Sequence, residues 1–133
     1  MTMDELEKSI LADLEELDDI LLRSEFLLRC GKLLEGIPET ERREEDLVRN
    51  CQTKTWLRMD VSGGCVILRA DSLSMLVRGA LAVIDEIYNG RPQEEIREHR
   101  CSLIESPFFR DVFSGTQMKG IETLVEMIHE RCK

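Results

Sequence analysis

The chain has 133 residues, of which 42% are hydrophobic and 34% are charged, and its formal net charge at pH 7 is -9. This composition is typical of one folded domain and excludes a disordered chain. The acidic balance disfavours a general nucleic-acid binder, which usually presents a basic face. We find neither a secretory signal nor an apolar run that could cross a bilayer, and we therefore expect a cytoplasmic protein that does not bind membranes.

Apolar residues recur at steps of three and four through the first 21 residues. The spacing predicts one apolar helix face, formed by Leu6, Ile10, Leu14, Leu17 and Leu21. Asp18 and Asp19 predict a break between two helices, because aspartate favours helix caps over helix interiors. Residues 1–28 are therefore predicted to form a helical N-terminal segment.

The middle of the chain predicts a β-hairpin. Weakly polar or apolar residues alternate with polar ones from Thr53 to Val61, the turn-forming run Ser62-Gly63-Gly64 follows, and a β-rich run covers Cys65 to Arg69.

A strongly apolar helix follows the hairpin. Asp71 or Ser72 is predicted to cap it, and Asn89-Gly90 to end it. Gly79 inside this helix predicts close contact with a strand, because glycine is unfavourable there without such packing. The last amphipathic helix is predicted from Met118 to Cys132. The order of helices, hairpin and helices predicts one α+β domain over residues 1–133, with a small antiparallel sheet flanked by helices.

Cys51 is the principal candidate for chemistry. It lies where a charged segment gives way to the first strand, with Arg49 and Lys54 on either side in the sequence. A nearby cation favours the thiolate, which is the reactive form of cysteine. The chain has five cysteines, an odd number without CxxC spacing, so we do not expect a disulfide framework.

Four segments in the same order resemble the SufE/CsdE family of sulfur-acceptor proteins, with the best match over residues 29–133. The run Val48 to Leu57 is similar to the family's V-x-G-C-Q-S-x-V-W, which includes Cys51, Gln52 and Trp56. The other segments are Gly31-Lys32-Leu33-Leu34, Ala70-Asp71-Ser72 with Val77-Arg78-Gly79-Ala80-Leu81-Ala82, and Gly120-Ile121-Glu122-Thr123-Leu124.

The resemblance implies a SufE/IscU-like fold with about three antiparallel strands. It implies that Cys51 takes persulfide sulfur from a pyridoxal-phosphate-dependent cysteine desulfurase, stimulates that enzyme, and passes the sulfur to an iron–sulfur scaffold or another acceptor. The chain itself would act as a sulfur carrier, as a monomer or weak homodimer, with no cofactor or metal beyond a transient Cys51 persulfide.

Residues around Cys51 are assigned supporting roles. Arg49 and Lys54 either lower the thiol pKa and meet an acidic partner or simply solvate the surface. Gln52 either supports the loop by hydrogen bonding or is solvated, and Trp56 is predicted to pack under a helix beside the loop.

The chain departs from the family pattern at three positions. Asn50 replaces the glycine before the cysteine, Gln117 replaces an arginine before the last helix, and Leu73 stands where an acid is common. Asparagine tolerates a left-handed backbone, so the loop is expected to keep its conformation.

Two alternatives remain open. The chain could be a non-catalytic module that docks on a desulfurase without transferring sulfur. It could also be a metal or iron–sulfur scaffold, and a zinc set can be drawn from His99, Cys101, His129 and Cys132, although the spacing of the first pair is unusual for metal ligands.

Overall fold

The computed structural model describes residues 1–133 and contains six α-helices and one two-stranded antiparallel sheet. The helices are α1 (Met3–Glu16), α2 (Ile20–Leu33), α3 (Met75–Tyr88), α4 (Gln93–Glu98), α5 (Pro107–Arg110) and α6 (Gly115–Glu130). The strands are β1 (Thr55–Ser62) and β2 (Cys65–Ser72). Short 3-10 turns lie at Glu39–Glu41, Glu44–Asp46 and Leu103–Glu105. The predicted α+β class is confirmed.

The first two helices are separated where the aspartates predicted a break. Asp19 caps α2, and its carboxylate accepts a hydrogen bond from the Leu21 N–H at 2.7 Å. The apolar stripe does not continue across this break. Ile10 and Leu14 are buried, whereas Leu21 is 70% exposed because it belongs to a second helix with its own orientation.

The hairpin forms as predicted, with a two-residue turn. Thr55 pairs with Ser72 at the open end of the ladder, and Ser62 pairs with Cys65 at the turn. Gly63 and Gly64 have φ angles of 60° and 79°, which glycine adopts without steric cost and which suit a tight hairpin turn.

The sheet has two strands rather than about three. The segment before the reactive loop contributes only an isolated bridge between Leu47 and Trp56. The 3-10 turn at Glu44–Asp46 precedes this bridge, and Asn50 turns the backbone into the left-handed region after it. Too few extended residues remain between them to form a third strand.

Asp71 and Ser72 are not the cap of α3, which corrects the prediction. Both lie in β2, and the hydroxyl of Ser74 accepts the capping hydrogen bond from the Val77 N–H at 3.2 Å. Asp71 instead has a side chain only 4% exposed and forms ion pairs with Arg42 and Arg78. β2 continues this far because its last residue still pairs with the first residue of β1.

Gly79 permits close contact with another helix rather than with a strand. A Cβ at Gly79 would collide with the carbonyl of Leu27 on α2, and one at Gly31 would lie 2.9 Å from the backbone nitrogen of Gly79. The two glycines therefore let α2 and α3 approach backbone to backbone.

α3 packs on α2 and on β2, and α6 closes the core on another side. The buried face of α6 agrees with the predicted periodicity and consists of Met118, Gly120, Ile121, Leu124, Val125 and Ile128. No helix is long and apolar enough to span a membrane. This arrangement places α6 next to the loop at the open end of the hairpin.

Candidate functional site: the Cys51 loop

The loop that carries Cys51 covers residues 49–54 and is tied to the hairpin at both ends. The Val48 N–H donates to the carbonyl oxygen of Thr55 at 2.8 Å, which closes the base of the loop. The Leu73 N–H donates to the carbonyl oxygen of Lys54 at 3.0 Å. These bonds fix where the loop leaves the sheet and leave its tip free of backbone pairing.

Asn50 turns the chain at the tip of the loop. Its φ of 65° makes it the only residue other than glycine with a positive φ. Asparagine is one of the few residues that adopt this conformation at modest cost, so the predicted tolerance is confirmed. Its side-chain Nδ2 also donates to Oγ1 of Thr123 on α6, at 3.3 Å.

The thiol of Cys51 faces α6 at Gly120. An ideal Cβ on Gly120 would lie 2.5 Å from Sγ of Cys51, so an alanine there would displace the sulfur. Cys51 is half-buried as a result and packs against the hydrophobic core. The absence of a side chain at one position of α6 therefore makes room for the thiol.

A cavity of about 110 Å³ lies beside the thiol. Its walls come from the loop, the start of β1, α3 and the first turns of α6. They are formed by Cys51, Gln52, Thr53, Thr55, Val77, Leu81, Ser114, Thr116, Gln117, Gly120, Ile121 and Leu124. The mixture of apolar and hydroxyl or amide side chains surrounds the sulfur without any ionisable neighbour in the wall.

Burial raises the pKa of the Cys51 thiol, and a hydrogen bond with the Thr55 side chain opposes this rise only in part. Neither Arg49 nor Lys54 contributes to the shift. Both side chains are exposed and neither forms an ion pair. Of the two roles left open for these cations in the sequence, the structure favours solvation of the surface over a lowering of the thiol pKa, because a solvated charge at the loop surface is screened from the half-buried sulfur.

Two glutamines that the sequence analysis singled out, Gln52 and Gln117, both line the cavity beside the thiol. Gln52 follows Cys51 on the loop, and Gln117 reaches the same cavity from α6. Gln117 also completes a capping box, in which its Oε1 accepts from the Ser114 N–H at 2.9 Å. The side chain at this position thus stabilises the start of α6 as well as lining the cavity.

Trp56 is buried one residue into β1, with 7% of its surface exposed. We predicted that Trp56 packs under a helix. The group that lies over the indole is instead the guanidinium of Arg42, which follows the 3-10 turn at Glu39–Glu41, with Cζ 4.6 Å from the ring centroid. Trp56 therefore supports the sheet end from which the loop emerges and does not line the cavity.

Sequence reasoning missed three residues of the site: Gly120, Thr123 and Thr55. Gly120 is the one that a pattern could have revealed, because a glycine on the buried face of an amphipathic helix indicates close packing. Thr55 is 2% exposed and lies under the loop, where its hydroxyl oxygen is 3.1 Å from the Thr53 carbonyl oxygen and 3.0 Å from the Ser72 hydroxyl.

The proposed zinc set is not assembled. The only group of three candidate ligands whose atoms converge is Asp4, Glu7 and His99, and it contains no cysteine. His129 instead shares a hydrogen bond of 2.8 Å with the hydroxyl of Tyr88. Cys65 pairs at the turn end of the hairpin, so this cysteine, the nearest to Cys51 in the sequence, lies at the opposite end of the ladder from the Cys51 loop.

Comparison with known protein families matches residues 8–132 to the SufE family, described as an Fe-S metabolism associated domain. The chain belongs to the SufE family. It is 27% identical over 135 residues to an uncharacterised SufE-like protein of Rhizobium etli, an alignment that covers 93% of this chain and 87% of that one.

The fold of this SufE-family protein is shared with a hypothetical protein from Thermus thermophilus of known solution structure. The TM-score is 0.72 at 23% identity, with 96% of this chain and 93% of the other covered. The family assignment confirms the resemblance seen in the sequence and connects the chain with iron–sulfur metabolism.

Proposed function

We propose that this protein accepts sulfur on Cys51 from the persulfide of a pyridoxal-phosphate-dependent cysteine desulfurase. The chain would stimulate the desulfurase and deliver the sulfur to iron–sulfur cluster assembly. The family assignment supports the metabolic context. The observation that carries the assignment to Cys51 is its position, because it is the only half-buried cysteine outside a helix or strand. A thiol on a loop can enter a partner's active site without the unfolding of a helix or a strand.

The transfer step balances without an external oxidant or reductant. The Cys51 thiolate attacks the outer sulfur of the donor persulfide, and the bond between the two donor sulfurs breaks as a new S–S bond forms on Cys51. The donor cysteine leaves as a thiolate and takes up the proton that Cys51 has released. Attack by an acceptor thiol on the Cys51 persulfide would repeat the same exchange.

Burial at rest has a functional consequence in this proposal. The raised pKa keeps Cys51 protonated and therefore weakly nucleophilic while the loop contacts α6. Movement of the loop into a donor site would restore ordinary solvation or replace it with the donor's polar groups. The thiolate would then form only where a persulfide is available.

Residues around Cys51 would contact the desulfurase or the transferred sulfur. Arg49 and Lys54 are exposed and free of ion pairs, so they can contact an acidic surface of the desulfurase. Gln52 and Gln117 would offer amide groups to the transferred sulfur from the cavity wall. The chain would hold sulfur only as a transient persulfide, and pyridoxal phosphate would stay with the donor.

The test is intact-mass analysis after incubation with cysteine and a desulfurase from the same organism. We expect a gain of one sulfur that dithiothreitol removes. Cys51→Ser should abolish the gain, whereas Cys65→Ser should retain it, since Cys65 lies at the far end of the hairpin.

A desulfurase shown to be active in the same tube makes a negative result informative. No mass gain on the wild type under those conditions would overturn the acceptor role. Binding to the desulfurase without mass gain would favour the docking module instead.

A further inference from the structure

We infer that Gly120 and Thr123 of α6 are positioning residues that hold the Cys51 loop against the helix and so set how far the thiol is exposed. We call these two residues the α6 contact pair. The consequence for sulfur transfer rests on the proposed function, whereas the contact itself can be tested on the isolated protein.

Gly120 provides the space that the sulfur occupies. Beyond the clash with Sγ, a Cβ at this position would lie 3.5 Å from Cα of Cys51 and 3.6 Å from the carbonyl oxygen of Asn50, which are ordinary contacts. The sulfur is therefore the one atom that an added methyl group must displace. Relief comes from rotation of the side chain or from movement of the loop tip.

Thr123 lies three residues further along α6 and so on the same side of the helix. Its hydroxyl donates to the carbonyl oxygen of Lys119 at 2.9 Å, which commits its proton to the helix. Its oxygen lone pairs remain available and accept from Nδ2 of Asn50 at 3.3 Å. The acceptor is thus oriented toward the residue that precedes the reactive cysteine.

The two contacts act on adjacent loop residues. The pair Asn50–Thr123 restrains the left-handed turn, and the pair Cys51–Gly120 determines where the sulfur rests. Asn50 combines both requirements, because it adopts φ of 65° and also supplies a side-chain donor. A glycine at position 50 could adopt the positive φ but would have no side-chain donor for Thr123.

The first experiment measures the rate of Cys51 alkylation by iodoacetamide, read by intact mass and peptide mapping, without any desulfurase. Gly120→Ala should raise the rate about tenfold or more, because the thiol can no longer occupy its resting position. Gly115→Ala is the matched control, since it lies on the same helix and a Cβ there meets nothing within 4 Å. The control should leave the rate unchanged.

The polar contact is tested with Thr123→Val and Asn50→Gly. Valine keeps the shape of threonine without the acceptor, and glycine keeps the positive φ without the donor. Each should raise the alkylation rate about 2- to 10-fold, the range expected for the loss of one hydrogen bond. The double variant should show no further increase, because both changes remove the same bond.

Gly120→Ala could act by disturbing α6 in general or by removing its specific contact with Cys51. A substitution of Cys51 itself distinguishes these two explanations. In the wild-type background Gly120→Ala should lower the urea midpoint, because the added methyl group must displace the Cys51 sulfur. In a Cys51→Ala background that sulfur is absent, so Gly120→Ala should no longer lower the midpoint. It should raise the midpoint as Gly115→Ala does, because alanine favours helices over glycine. An equal loss of stability in both backgrounds would overturn the assignment of Gly120 to Cys51.

The pH profile gives a readout that a general loss of stability does not move. Alkylation of Cys51 in Gly120→Ala should have its midpoint at lower pH than in the wild type, because the thiol regains solvent. Alkylation rates and midpoints equal to wild type in Gly120→Ala, Thr123→Val and Asn50→Gly would overturn the inference. Faster alkylation together with no persulfide on the wild type would leave the α6 contact pair in place and overturn the proposed function alone.

Discussion

The guanidinium of Arg42 lies over the indole of Trp56, with 4.6 Å from Cζ to the ring centroid, and also donates to Oδ2 of Asp71 at 3.1 Å. Asp71 additionally accepts from the Ile37 N–H at 2.8 Å and pairs with Arg78 on α3. One buried carboxylate thus joins the segment after α2, the open end of the hairpin and the start of α3. The loop of Cys51 emerges from this same end.

Asp71→Asn should destabilise the protein by about 3–5 kcal/mol, because it leaves two partly buried guanidinium groups without their counter-ion. Urea unfolding measures the change. Asp60→Asn is the matched control on β1, since Asp60 is exposed and forms no ion pair, and it should stay within about 0.5 kcal/mol of wild type. Equal effects of the two substitutions would contradict this assignment.

The Asp71 carboxylate also makes the free energy of unfolding depend on pH. Burial acts to raise the pKa of Asp71, but hydrogen bonds from the Ile37 and Ser72 N–H groups and the Arg78 charge hold it below its ordinary value. At a pH between the folded-state and unfolded-state pKa of Asp71, the unfolded chain binds more protons at this carboxyl than the folded chain does. The contribution of Asp71 to the free energy of unfolding is therefore present above about pH 4 and is lost as the pH falls through the folded-state pKa. Urea midpoints measured from pH 6 down to pH 3 should fall more steeply for wild type than for Asp71→Asn.

Glu7 and His99 form a second buried pair, between α1 and the end of α4. The Glu7 carboxylate accepts from the Ser102 hydroxyl at 2.6 Å and lies 3.3 Å from Nε2 of His99, whose Nδ1 lies 2.9 Å from Asp4. Two flanking carboxylates suit the imidazolium, in which both nitrogens donate. Although burial alone would lower it, the Glu7 and Asp4 contacts raise the pKa of His99 above its ordinary value.

Glu7→Gln should lower the pKa of His99, as measured by NMR titration of the imidazole, and should cost about 3–5 kcal/mol at pH 6. With its pKa raised, His99 contributes stability below about pH 6.5 that is lost as the pH rises through the folded pKa. Glu15→Gln on the exposed side of α1 should change neither quantity. An unchanged His99 titration in Glu7→Gln would refute the pairing.

Gly79→Ala should destabilise the fold by about 1–3 kcal/mol or more, because the added methyl group would meet the Leu27 carbonyl of α2. The intrinsic preference of alanine for helices acts in the opposite direction by about 1 kcal/mol, so the packing effect is large enough to decide the sign. Urea unfolding of Gly79→Ala and Gly115→Ala should move the midpoint in opposite directions. A gain of stability in both would show that α2 and α3 can separate freely.

Cys51 should be alkylated slowly at neutral pH, with a midpoint of the pH profile above the ordinary thiol pKa. Burial causes the rise, and the Thr55 contact opposes it. Arg49→Gln and Lys54→Gln should leave the midpoint in place, because the two cations do not set this pKa. A midpoint that shifts upward in either variant would restore the cation effect expected from the sequence.

Much of this architecture could be read from local patterns. The break at Asp19, the Gly63-Gly64 turn, the end of α3 at Asn89 and the buried face of α6 each depend on residues close in sequence. Asp71 shows where such reasoning stops, because a capping residue and a buried ion-pair partner have the same side chain. Only the position of Arg42 and Arg78 distinguishes the two roles.

The sequence by itself determined the α+β order of elements, the family and the cysteine on which the proposed function depends, because these follow from short-range periodicity and from a contiguous motif. The tertiary structure decided the environment of that cysteine. Gly120 and Thr123 lie about 70 residues from the loop, and their contact with it arises only when α6 packs beside the hairpin. Burial, and with it the direction of the Cys51 pKa, is a property of that packing, which the charges adjacent in sequence did not predict.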